Sequence, residues 1–258
     1  MLQICIAGAT GWTGSALVDA VVDADDLGLR SAVARSAAGG KVGGAPVFGS
    51  VEEALDGVDV LIDYTSHLVV KENVMAGIGR GVAVVVGTSG LSADDYAEID
   101  AAARSQGVGV VAAGNFSLTA AMAQAAALLA ARHLPRWEII DYASATKPDA
   151  PSGTARELAE KLSEVRRPLV DRSPDETAGP REARGATVDG AQVHSVRLPS
   201  FVVSTEVVFG LPDERLSIRH DAGGSAAPYV AGTLLAARRA PGRIGLTRGL
   251  DTLLLASD

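Results

Sequence analysis

Lys147, Ser152, Gly153 and Thr154 fall within one run, TKPDAPSGTA, in which a single cation precedes a stretch suited to open a helix. The PSGTA part can present backbone N–H groups at a helix start, where missing acceptors and the helix dipole together favour an anion such as a carboxylate. Lys147 adds a full positive charge, and lysine is scarce here, standing only at 41, 71, 147 and 161. The chemistry on offer is recognition of a small carboxylated molecule. A plainer reading makes Thr154 and Glu157 a capping box and leaves Lys147 in solvent. These residues alone leave both readings open.

A second constellation, GATGWTG at residues 8–14, sets Gly8, Gly11 and Gly14 between an apolar run and a helical pattern, with Thr10, Trp12 and Thr13 among them. Glycines at a strand-to-helix turn permit a tight bend and close approach of a pyrophosphate to the helix N-terminus. Sites that prefer NAD place an acidic side chain about 20 residues further on, to bind the ribose hydroxyls. That place reads VARS: Ala34 cannot bind a diol, whereas Arg35 and Ser36 suit a 2′-phosphate, with Lys41 near in sequence. The expected cofactor is NADPH, with NADH the alternative.

Composition narrows the remaining classes. A net charge of −8 argues against a nucleic-acid surface, and 47% hydrophobic with 21% charged residues argues for a globular chain over a disordered one. Cys5, the single cysteine, excludes an internal disulfide and a cysteine-rich metal site; it reads as a small buried hydrophobe, and no metal is expected. The longest nearly uncharged helical stretch, Leu118–Ala131, is too short for a bilayer, and strand-like LQICIAG begins at once, without a leader pattern. Neither membrane nor nucleic acid is expected as a partner, and a cytoplasmic location follows by default.

Positioning these groups requires a scaffold, and the hydrophobic pattern predicts an α/β one. LQICIAG, VDVLIDYTS, VAVVVGTSG and VGVVAAGNFS are β-rich runs, nearly continuous in apolar residues, separated by helical patterns at residues 14–23, 69–80 and 92–105. Ser92 and Asp95 form a cap pattern, with Gly81 and Gly107 as stop signals. This predicts a Rossmann-type, doubly wound parallel sheet whose ligand lies beyond the carboxyl ends of the strands, an edge lined by Gly8, Thr65, Thr88 and Asn115. After Phe116 the pattern changes to an alanine-rich helix, a strand at WEIIDYA, a helix over residues 152–165, a polar loop around RSPDETAGPREARG, and strands at VHSVRLPS, FVVSTEVVFG and ERLSIRHDA. We expect a dinucleotide-binding domain of residues 1–116 plus about 223–258, and an α+β substrate-binding and oligomerisation domain of residues 117–222.

GATGWTG, IDYTS, VVGTSG, AGNFS, KPDAPSGTA, VHSVRLPSFVVSTEVVFG and LSIRHD, in that order, resemble the 4-hydroxy-tetrahydrodipicolinate (dihydrodipicolinate) reductase family over nearly the whole chain. DAPSGTA is the specific motif. The resemblance implies an N-terminal dinucleotide domain, a C-terminal substrate and tetramerisation domain giving a homotetramer, and closure of a cleft about hinges. It implies hydride transfer from NAD(P)H to a cyclic dicarboxylated substrate. Residues 87–89 (Gly87, Thr88, Ser89) and 114–116 (with Asn115 and Phe116) would meet the nicotinamide, and Lys147, Ser152, Gly153 and Thr154 the substrate carboxylates.

One departure concerns the acid. The family carries two adjacent histidines upstream of the lysine, one a proton donor and one a substrate contact; here their places hold Ala143 and Ser144, and Thr146 stands at a third position that often has histidine. Replacement proton donors, in order of preference, are Tyr142, Lys147 and Asp141. Shortening two imidazoles would enlarge the pocket and remove positive charge, so the leading expectation is an NADPH-dependent reductase of a C=N or polarised C=C bond in a different small carboxylated molecule. The alternatives are the family reaction itself and a nucleotide-binding regulatory subunit without turnover.

Overall fold

The computed structural model describes residues 1–255. Its elements run β1 (Leu2–Ala7), α1 (Trp12–Val22), β2 (Leu27–Val33), β3 (Lys41–Val42), β4 (Ala45–Phe48), α2 (Val51–Ala54) and β5 (Val60–Asp63). There follow α3 (Val70–Gly79), β6 (Ala83–Val86), α4 (Ala93–Gln106), β7 (Gly109–Ala112), α5 (Leu118–Ala131), β8 (Trp137–Ala143) and α6 (Gly153–Val165). The last are β9 (Ala186–Val188), β10 (Ala191–Arg197), β11 (Val203–Leu211), β12 (Glu214–Asp221), α7 (Ala227–Arg239), β13 (Gly245–Arg248) and α8 (Leu250–Leu255). Two compact units result: Met1–Leu118 with the segment from Ala226 onward, and Thr119–Ser225.

The first unit holds a sheet in the order β13-β7-β6-β5-β1-β2-β4-β3, parallel except for the β3–β4 pair. Strands β5, β6 and β7 are buried at every residue, as their unbroken apolar runs require of strands covered on both faces. Neither face meets water, so apolar and polar residues do not alternate along them; Leu61, Val84 and Val110 join Val74, Ile78 and Ile99 of the flanking helices in one core. α4 starts with a reciprocal Ser92–Asp95 capping box and ends at Gly107 in the left-handed conformation, the two signals visible in the sequence. The chain order turns back between β1 and β5, which makes their carboxyl ends the crevice of this Rossmann-type sheet.

The second unit is α+β. Its five-stranded sheet runs β12-β11-β8-β10-β9, with β8 parallel to β10 and antiparallel to β11. β8 alternates strictly, burying Trp137, Ile139, Asp141 and Ala143 while Glu138, Ile140 and Tyr142 lie half-buried on the other face. Ile139, Val193, Val207 and Phe209 pack with Leu158 and Leu162 of α6 and with Ala127 and Ala131 of α5, whose small side chains fit a close approach. The polar stretch after α6 forms two short 3₁₀ turns, at Pro174–Glu176 and Arg181–Arg184, and then β9.

Candidate functional site

At the crevice of the first unit, Gly8 has φ +85°, and a Cβ there would lie 2.1 Å from the Tyr64 carbonyl oxygen. A Cβ at Gly14 would lie 2.0 Å from the Gly8 carbonyl oxygen, so only glycine lets α1 start so close beneath the turn. Gly11 is the N-cap of α1 and brings no side-chain acceptor, so the first turn opens without a side-chain cap. Thr10 and Trp12 are exposed and Thr13 half-buried; the Trp12 indole meets Tyr229 of α7 edge-on at 5.8 Å. Across the crevice, a Cβ at Gly87 would come within 2.2 Å of the Tyr64 ring, which is held in turn by a 2.8 Å hydrogen bond to Thr233.

Asp63, the last residue of β5, is fully buried and gathers this rim. Its Oδ1 accepts hydrogen bonds from the Thr65 backbone N–H (3.1 Å), the Thr65 hydroxyl (2.8 Å) and the Thr88 hydroxyl (2.6 Å); its Oδ2 accepts from Asn73 Nδ2 (2.7 Å). Thr88 Oγ1 also accepts from the Thr65 N–H at 2.8 Å. Sequence reasoning passes over Asp63; the signal is an acid closing an otherwise apolar strand, where only a fully bonded carboxylate is tolerated.

The other residues expected near a cofactor divide by exposure. Arg35 and Ser36 begin an exposed 3₁₀ turn just after β2, and Ser89 is exposed beyond Thr88. Asn115 Oδ1 accepts from the Ser117 N–H, while its Nδ2 is buried with no partner among the described residues, a donor left for a ligand to meet. The Phe116 ring is buried and packs on Tyr64, so its place is in the core and only its backbone belongs to the rim. The glycine turn and the unpartnered Asn115 donor fit a dinucleotide.

In the second unit a carboxylate organises the other constellation. Asp141, fully buried, accepts from the Ser152 N–H (2.9 Å), the Ser152 hydroxyl (2.7 Å), the Ser195 hydroxyl (3.1 Å) and Arg197 Nη2 (2.8 Å). Its surroundings correct its expected part as a proton donor: four donors converge on a sealed side chain, which makes it an anchor for the start of α6. Ser152, likewise buried, caps α6 by accepting from the Ala155 N–H, so the Thr154–Glu157 capping box is not the cap that forms. Glu157 is instead buried and accepts from Gln124 of α5. Gly153 and Thr154 stay half-buried in the first turn.

Arg197, also missed from sequence, bonds the Asp149 carbonyl oxygen at 2.7 Å and so ties the loop before α6 to Asp141. Lys147 Nζ lies 2.8 Å from Asp149 Oδ1. Burial raises the Asp149 carboxyl, the Lys147 ammonium lowers it, and the balance falls below the usual carboxylate range. Lys147 is thus a partly exposed ammonium paired with a partly exposed acid. Ser144 shares a hydroxyl–hydroxyl bond with Thr146 (3.0 Å). Tyr142 lies on the opposite face of β8, its hydroxyl donating to Glu206 Oε2 at 3.2 Å beneath the Arg219 guanidinium. Burial first, then the Glu206 carboxylate, hold its phenol above its ordinary range, which suits it poorly to give up a proton. The structure therefore brings Asp141, Ser152 and the Lys147 loop together and sends Tyr142 elsewhere. On that outer face, Ile140, Val208, Glu138, Arg184 and His194 line part of a cavity of about 700 Å³ in which Glu138 pairs with both Arg184 and His194. Among the described residues no cluster could hold a metal, and no helix is long and apolar enough to cross a membrane.

Two family models match, "Dihydrodipicolinate reductase, N-terminus" over residues 2–116 and "Dihydrodipicolinate reductase, C-terminus" over residues 114–254. The 4-hydroxy-tetrahydrodipicolinate reductase of Desulfitobacterium hafniense is 36% identical over 264 aligned residues, covering 98% of each chain. The enzyme of that name from Streptococcus suis is 37% identical over 254, covering 98% of this chain and 99% of its own. The solved structure of dipicolinate-bound dihydrodipicolinate reductase from Paenisporosarcina sp. TG-14 is similar with a TM-score of 0.79 at 28% identity, covering 98% of this chain and 99% of that one.

Proposed function

The chain belongs to the dihydrodipicolinate reductase family and is an NAD(P)H-dependent oxidoreductase, and from that premise we propose that it reduces 4-hydroxy-tetrahydrodipicolinate with NADPH. The observation that carries this reading is 36–37% identity to reductases of that name over 98% of the chain. A reductase of another small carboxylated molecule, expected from the missing histidines, draws no support from these relatives. Its physical ground also shrinks, because Ala143 is fully buried in β8 and its methyl group leaves no open space there. Ser144, half-buried, and Thr146, exposed, are the exchanged positions left that can tune the acid.

In this reading Arg35 and Ser36 take the 2′-phosphate, and Gly8, Gly11 and Gly14 admit the pyrophosphate to the start of α1. Thr65, Gly87, Thr88, Ser89, Asn115 and the Phe116 backbone line the place of the nicotinamide half. When bound, the reduced nicotinamide supplies the hydride. Lys147 exchanges Asp149 for a substrate carboxylate, while the Gly153 and Thr154 N–H groups, presented by the anchored Ser152, take part in holding the acid. Ser144 contacts the same substrate. Lys147 is the one of the three expected proton donors with a solvent-facing charge; water supplies the proton otherwise. Losing a concerted general acid slows such a step by about 10²–10⁴-fold, so turnover persists at a reduced rate. A homotetramer assembled through the outer face of the second sheet, where Ile140 and Val208 line the cavity, belongs to the same reading.

Purified protein mixed with NADPH and freshly generated dihydrodipicolinate tests it. The expected result is stoichiometric NADPH oxidation, slower than in a histidine-bearing relative. NADPH binding without turnover would instead identify a nucleotide-binding subunit.

A further inference from the structure

The geometry points to Asp63 as a positioning residue that fixes the hydrogen-bond direction of the rim, making Thr65 and Thr88 acceptors toward the nicotinamide half of the cofactor. This inference rests on the functional reading above. A threonine hydroxyl owns one proton and can donate once. Thr88 Oγ1 spends that proton on Asp63 Oδ1 at 2.6 Å, and one of its lone pairs receives the Thr65 N–H at 2.8 Å. Thr65 Oγ1 likewise donates to Asp63 Oδ1 at 2.8 Å. Because a carboxylate only accepts, a hydroxyl that turned round to donate outward would give up its bond to Asp63 and leave that buried oxygen short of a donor. Both threonines are half-buried, open on one side at the crevice where the sheet order reverses.

Position in the sheet then selects the ligand group. Arg35 and Ser36 follow β2, on one side of the reversal; Thr65 and Thr88 follow β5 and β6, on the other. A dinucleotide laid across the crevice with its adenosine phosphate at Arg35 presents its nicotinamide half to the threonines. The groups there that donate hydrogen bonds are the ribose hydroxyls and the carboxamide N–H₂. An acceptor-only rim favours those donors, and Asn73, which clamps Asp63 Oδ2 at 2.7 Å from α3, keeps the carboxylate from swinging away.

Binding titrations followed by nucleotide fluorescence separate the possibilities without needing the substrate. The ligands are NADPH, its reduced 3-acetylpyridine analogue, which lacks the carboxamide donor, and an analogue with deoxyribose on the nicotinamide side. Thr88→Val and Asp63→Ala should each weaken NADPH by roughly three- to tenfold, the range of one hydrogen bond. The same variants should bind one of the two analogues within about twofold of the unmodified protein, and that analogue names the donor. Asp63→Asn should recover most of the NADPH affinity, because the new amide oxygen can face the threonines while Asn73 turns its own oxygen inward. If Asp63→Ala does not fold, Thr88→Val carries the comparison alone. Equal weakening of all three ligands, or none, overturns the inference. An unmodified protein that binds no NADPH overturns the functional reading and this inference with it.

Discussion

Asp63 and Asp141 are both sealed carboxylates near the carboxyl end of a strand, and both gather four donors, yet the donors differ in kind. Those around Asp63 are neutral: two threonine hydroxyls, one amide side chain and one backbone N–H. Asp141 adds a guanidinium, Arg197, to a serine pair and a backbone N–H. A carboxylate matched by a cation presents no net charge to its surroundings, which suits the proposed receipt of substrate carboxylates nearby. A carboxylate satisfied by neutral dipoles instead orients those dipoles, which suits a rim that must read the hydroxyl and amide groups of a cofactor. Asp141 anchors a helix start; Asp63 sets the direction of protons.

Breaking the charged hub should produce the largest change. Arg197→Met leaves Asp141 buried without its cation and should cost about 3–5 kcal/mol in urea unfolding, whereas Asp141→Asn combined with Arg197→Met should recover much of that loss. If the single variant unfolds like the unmodified protein, the contrast between the two hubs is wrong. Next, Lys147→Ala should raise the substrate KM by roughly 10- to 100-fold, the span of a charged hydrogen bond, while NADPH affinity stays within about twofold. Equal losses in both would place Lys147 outside the acid site.

Arg35→Ala sharpens the same comparison from the cofactor side. It should weaken NADPH by about tenfold and leave NADH within about twofold, measured by titration of each. The smallest effect concerns pH. Burial lowers the His220 pKa below 6.5, partly opposed by Asp221, and its Nε2 sits 3.1 Å from the Thr119 hydroxyl. A base kept neutral by the fold contributes nothing above pH 6.5, where both states are unprotonated. Below it the unfolded chain takes up the proton first, so stability falls until the folded pKa is passed. The midpoint of thermal unfolding should therefore drop between about pH 7.5 and pH 5.5, and His220→Gln should flatten that slope.

Much of the first sheet is legible in the sequence because β5, β6 and β7 are runs that nothing but double burial explains. β13, with the sequence GLTR, is not: four residues of mixed character form a strand only because β7 offers an open edge. In β8 the alternation of Asp141, Tyr142 and Ala143 announces two faces, but the sequence carries no mark of which face the helices cover. Sequence alone therefore favours Tyr142 over Asp141 as an acid and sets Ala143 against a pocket, whereas the fold packs Ala143 inside. Arg197 and Asp63 stay hidden for a related reason. Each acts through partners distant in sequence, 56 residues for Arg197 to Asp141 and 25 for Thr88 to Asp63, and pattern alone does not bring such pairs together.

The return of the chain after Ser225 has a consequence for synthesis. β13 completes the parallel sheet by pairing with β7, but it is made only after the entire second unit has been synthesised. Until then β7 offers a bare row of amide and carbonyl groups, a template for pairing with another nascent chain. Translation speed through residues 119–225 thus sets how long that template stays open, and an arrested chain ending before Gly245 should depend on chaperones where the finished one does not.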